Sequence, residues 1–133
     1  MWGFLIGTLL IVHGLIVAAQ SFGAFGRGSP VANPSWLKWW PTALGQSWLL
    51  AGLGLEKNVV TWFFGFLWLI AGVALVAAGL GFFGVLISPV WWPTLAIGGA
   101  GLSLLLLLLY LHPLYAIGIG ASVAILAAPV WVQ

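Results

Sequence analysis

The chain has 133 residues, of which 64% are hydrophobic and 3% charged, and it has no cysteine. A soluble domain carries roughly 25% charged residues, and a soluble fold of this composition would expose aggregating apolar patches, so the chain is read as a membrane protein. Disulfides, thiolate chemistry and cysteine-bound metals are excluded, and a net charge of +2 with no basic run argues against a nucleic-acid partner.

The first apolar run, about residues 2–20, begins at Trp2 without the basic start and short core of a signal peptide, so it is expected to stay as a membrane helix. Within it, Gly3 and Gly7 form a GxxxG pair, the small-residue spacing that lets helices approach closely in lipid. His13 is the one titratable side chain deep in an expected span. An ionisable group there is costly and turns toward protein or a cavity. Three readings stay open: a neutral imidazole bonded to Thr8, Ser103, Ser122 or a carbonyl; a ligand to haem or chlorophyll with Gly14 and Gly7 admitting the macrocycle; or a proton-handling group.

Residues 21–58 are the long connection, and they contain all four charged side chains, Arg27, Lys38, Glu56 and Lys57. Trp36, Trp39 and Trp40 recur at helical spacing after Ser35, a candidate cap, and predict an interfacial turn. After Pro41, residues 42–55 are apolar but short for a span, which predicts an interfacial or re-entrant segment. With every Lys and Arg in this connection, the positive-inside rule places it in the cytoplasm. Glu56 is expected to favour the N-terminus of the next helix.

The second span is expected at about 59–86, with Gly65, Gly72 and Gly79 forming a groove along one face. Trp68 lies inside it, expected against protein or a ligand, with Phe63, Phe64 and Phe66 as apolar walls. Ser88-Pro89 and His112-Pro113 mark turns, because proline lacks an amide donor and restricts the residue before it. They bound a third span at about 91–111 and a fourth at about 114–130. Ala96 with Ala100, and Ala116 with Gly120, repeat the small-residue spacing. Trp91 and Trp92 extend the interfacial aromatic belt, and His112 is expected as a helix-end cap.

These elements predict an all-α protein, a single bundle of four transmembrane helices. Val12-His13-Gly14-Leu15-Ile16, with Gly45-Gln46-Ser47-Trp48-Leu49-Leu50, resembles a loose group of small four-helix bacterial integral membrane proteins. Their first helix often reads His-Gly-x-x-His; Val17 occupies the second histidine position here, so no two-histidine site is carried over. The resemblance implies a bundle in the bacterial inner membrane and no defined activity. Small multidrug transporters are similar in length and helix count, but their pattern needs a glutamate in the first helix, where this chain has none.

No catalytic constellation or metal site is encoded, because the lone carboxylate Glu56 has no partner acid or base. The leading expectation is a non-catalytic accessory subunit of a larger membrane complex, in electron transport or photosynthesis, with lipids and other membrane subunits as partners. The alternative is a binder of a lipid-soluble ligand (quinone, carotenoid, chlorophyll or haem) using His13 and Trp68. A transporter or channel comes third, since Thr8, His13, Thr61, Ser103 and Ser122 are sparse for a hydrophilic pathway.

Overall fold

The computed structural model describes residues 2–24, 33–41, 47–54 and 58–131. Every regular element among them is helical. Helix α1 is Trp2–Ala24, α2 Trp48–Gly52, α3 Asn58–Phe82, α4 Trp92–Leu109 and α5 Ala116–Trp131, with single 3-10 turns at Ser35–Leu37, Pro89–Trp91 and Pro113–Tyr115. Helices α1, α3, α4 and α5 correspond to the four expected spans, and each, with the leading 3-10 turn for α4 and α5, is long and apolar enough to cross a membrane. Outward residues such as Leu5, Val12, Leu15 and Ile16 are as apolar as the buried Leu10 and Val17. A helix that is apolar all round is a mark of a deep core or a membrane span.

The helices run up-down-up-down as a ring, α1 against α3, α3 against α4, α4 against α5, and α5 back to α1. The short turns force α3, α4 and α5 to be antiparallel neighbours. Side chains of Leu10, Trp68, Leu75, Leu106 and Ile125 fill the centre. The α1–α3 seam is the most extensive, and glycine explains it. A Cβ on Gly72 would lie 2.5 Å from the Ala18 backbone nitrogen, and one on Gly14 would lie 2.8 Å from the Gly72 carbonyl oxygen. Gly79 meets Ile11 and the Gly7 carbonyl, while Gly3 and Gly7 receive the rings of Phe82 and Phe83. Gly65 is buried on the same helix. Ala96 and Ala100 are fully buried. Ala116 and Gly120 instead face outward, with open space beside Gly120, so this pair makes no packing face inside the bundle.

Helix α3 stops at Phe82, short of the expected 86. Gly84 takes φ 68°, Val85 N donates to Leu80 O (2.8 Å) and Gly84 N donates to Gly81 O (3.0 Å). This paired closure around a left-handed glycine is the Schellman stop, which satisfies the last carbonyls. The Ser88-Pro89 and His112-Pro113 turns open with proline in their first turn, where a missing amide costs nothing.

The connection differs more from expectation. Ser35 lies inside its 3-10 turn, Pro34 takes the cap position, and no side chain caps it. Trp36 and Trp39 project outward, whereas Trp40 turns inward, edge-on to the His112 ring at 6.4 Å. Lys38 is exposed. In the 42–55 segment only the single turn α2 is helical among the described residues, far too short to span. It is tied to the end of α4: Ser47 Oγ donates to Leu109 O (2.8 Å) and Trp48 Nε1 to Leu108 O (2.9 Å). Those carbonyls have no partner within their own helix, so the connection supplies one. Trp91 is exposed, and Trp92 packs edge-on to Phe82 at 5.0 Å. Arg27, Glu56 and Lys57 lie outside the described residues.

Candidate functional site

Helices α1 and α5 meet differently from α1 and α3. Two polar rungs join them. In the first, His13 Nε2 lies 2.9 Å from Ser122 Oγ, and Ser103 Oγ of α4 lies 3.3 Å from Ser122 Oγ and 3.5 Å from the imidazole. Both serines are fully buried and His13 nearly so. In the second, the Tyr115 hydroxyl donates to Gln20 Oε1 at 2.9 Å. The rungs share one antiparallel register. Moving from His13 to Gln20 along α1 is seven residues, about 10.5 Å at 1.5 Å per residue, and moving from Ser122 back along α5 to Tyr115, the last residue of the 3-10 turn that leads into it, is also seven residues.

Between the rungs the seam gapes. A cavity of about 350 Å³ opens there, lined by Val17, Trp68, Leu107, Gly118 and Ala121 as well as by the rung residues His13, Gln20 and Tyr115. The small residues on α5 create the space, since Gly118 presents no side chain where α1 presents Val17. The rear wall comes from other helices: Trp68 of α3, itself buried against Tyr110 and Tyr115 with ring centroids at 5.7 and 6.3 Å, and Leu107 of α4. His13 and Trp68 thus line one cavity. Phe63 and Phe66 face outward, and Phe64 packs on Tyr110, so none of the three is a wall of it.

The polar inventory of the cavity is not exhausted by the rungs. His13 Nε2 is engaged, and Nδ1 makes no hydrogen bond among the described residues. His13 lines the cavity, and Nδ1 is its remaining ring nitrogen. In the arrangement that lets both serines donate, Ser103 to Ser122 and Ser122 to Nε2, the ring proton sits on Nδ1. This tautomer is assigned from the network. On Gln20 the carboxamide oxygen accepts from Tyr115, which leaves the NH₂ group for a ligand. No charged side chain lines the cavity.

The macrocycle reading of His13 fits poorly. Gly14 and Gly7 are covered by α3, so neither offers a flat approach, and Nε2 is taken by Ser122. No group of three or more His, Cys, Asp or Glu side chains that could hold a metal ion exists among the described residues.

A second polar cluster lies at the end of the bundle. His112 is buried between the connection and the α4–α5 turn. Its Nδ1 accepts from Leu114 N (3.2 Å), capping the turn, and its Nε2 donates to Asn33 Oδ1 (2.8 Å). This uses both ring nitrogens of a neutral imidazole, and burial holds its pKa below the ordinary histidine value.

Sequence reasoning singled out His13, Trp68 and Ser122 but missed Gln20, Tyr115 and Gly118. The available signal was the matching two-turn spacing of polar residues on the first and last spans. Comparison with known protein families, curated proteins and solved structures finds no match for this chain.

Proposed function

We propose that the protein is a multi-pass protein of a bacterial inner membrane that binds a small lipid-soluble ligand in the cleft between α1 and α5. The carrying observation is the cleft of about 350 Å³ between two polar rungs, with apolar walls and with the second ring nitrogen of His13 and the NH₂ of Gln20 outside the rung bonds. Ligand sites are mostly apolar pockets with a few placed polar groups, and in a bilayer such a site fills sideways from the lipid. The connection, with Trp36 and Trp39 outward, lies in the interface at the cytoplasmic end. No catalytic step is assigned. The test is the lipid extract of protein purified in mild detergent. A lipophilic compound at near-equal stoichiometry, absent from the Gly118→Leu variant, is the expected result; an identical extract from both proteins overturns the reading.

A second reading, an accessory subunit of a larger membrane complex, rests on the outward small residues Gly98, Ala116 and Gly120. Small residues on exposed helix faces permit close contact with another helix in lipid. Mild-detergent purification should then recover stoichiometric partners, and a stable partner-free monomer counts against it.

A further inference from the structure

We infer that the ligand of the α1–α5 cleft is a ring bearing hydrogen-bond acceptors at opposite ends, the chemistry of a 1,4-quinone headgroup; this rests on the ligand-binding reading above. The cleft has two uncommitted polar positions, both on α1. His13 Nδ1–H stands at the inner rung and the Gln20 carboxamide NH₂ at the outer one. Both are neutral donors. With no cation on the walls, a carboxylate or phosphate would have no counter-charge and would be costly to desolvate. A purely apolar occupant would leave both donors without partners, also at a cost. Acceptors on an uncharged ligand satisfy both conditions.

Spacing narrows the class further. The two residues stand two turns apart, about 10.5 Å along the helix. A quinone ring carries its para oxygens on opposite edges, so one can accept at the His13 end of the cleft and the other at the Gln20 end. A single carbonyl or an ester headgroup reaches one donor only. The flat face of the ring would lie along Trp68, the aromatic rear wall, in offset or edge-on contact. Gly118 is where the ring needs room. A Cβ there would lie 3.4 Å from Leu107 and 3.8 Å from the His13 ring, so any larger side chain enters the cleft. The remaining substituent, an isoprenoid or alkyl tail, leaves through the open side between α1 and α5.

The experiment is calorimetric titration of the full chain in mild detergent with two probes: a decyl-substituted 1,4-benzoquinone and the same decyl chain on p-xylene, which lacks the oxygens. The expected result is saturable one-to-one binding of the quinone, with the xylene probe at least about 25-fold weaker. Gln20→Met and His13→Phe should each weaken the quinone about five- to tenfold, the worth of one hydrogen bond, and leave the xylene probe unchanged. Gln20→Met touches only the outer rung, so it remains informative should His13→Phe fail to fold. Equal binding of both probes, each lost in Gly118→Leu, overturns the paired-acceptor ligand and leaves the cleft as a site. Quinone affinity unaltered by Gln20→Met overturns it too. No binding of either probe, with a different lipophile in the native extract, overturns the quinone class alone. No binding together with identical extracts from wild type and Gly118→Leu overturns both readings.

Discussion

Helix α1 has two seams, and they are built on opposite principles. Against α3 it packs backbone to backbone, with Gly14, Gly72 and Gly79 at the points of closest approach. Against α5 it is held by two side-chain hydrogen bonds with a gap between them. The first seam gains dispersion energy from many close contacts. The second is fixed at two points, so its middle can stay open. The difference teaches that small residues in this chain serve two ends. On α3 they are filled by a neighbouring helix; Gly118 on α5 instead lines the cavity.

Five measurements would break or sharpen that contrast. The largest effect is expected from Gly72→Leu, whose new side chain would collide with the Ala18 backbone; a loss of about 3 kcal/mol or more follows from overpacking, read as a large drop in the thermal midpoint in detergent. Gly118→Leu is the opposing case. Its stability should change by less than about 1 kcal/mol, because the side chain enters free volume, while bound lipophile disappears from the extract. Equal destabilisation by both substitutions would erase the distinction between the seams.

Ser122→Ala comes next. It removes the short bond to His13 and leaves Ser103 at 3.5 Å; about 0.6–1.7 kcal/mol is expected, the range for interhelical hydrogen bonds in membrane proteins. A double-mutant cycle with Tyr115→Phe should be additive within about 0.5 kcal/mol, as for sites two turns apart with no shared partner. Strong coupling would mean that the rungs act as one unit.

The smallest effect concerns His112. Its folded pKa is depressed by burial, so the unfolded chain binds the proton more readily. Stability is therefore full above the unfolded value of about 6.5 and declines as pH falls through it toward the folded pKa. Protonation also removes the Nδ1 lone pair that accepts from Leu114 N. Thermal midpoints between pH 7.5 and 5.5 should show this decline, and His112→Asn should remove that share of it. A slope unchanged in the variant would count against the cap as a neutral imidazole.

Much of the architecture was legible in the chain. Apolar runs of about 20 residues can be little other than spanning helices, and the proline turns told which of them were neighbours. The end of α3 was misjudged because apolar residues continue past the stop, while Gly84 ends the helix through its backbone angle and not through polarity. Spacing puts Trp36, Trp39 and Trp40 on one helical face, and in the structure Trp36 and Trp39 are exposed while Trp40 is half-buried. His112, far along the chain, draws its ring inward.

The candidate site was legible only in part. His13 stood out as the polar exception in a span, and Ser122 was one of several partners the composition allowed. The Gln20–Tyr115 rung joins residues 95 positions apart, and nothing local in either segment names the other. Sequence by itself determined which segments are helical and apolar, because the period and length of a hydrophobic run are local properties. Tertiary structure decided which glycines are filled, which donors are spent and where the gap lies. Those depend on the register between helices, and register is set by the fit of two surfaces that the linear chain does not juxtapose.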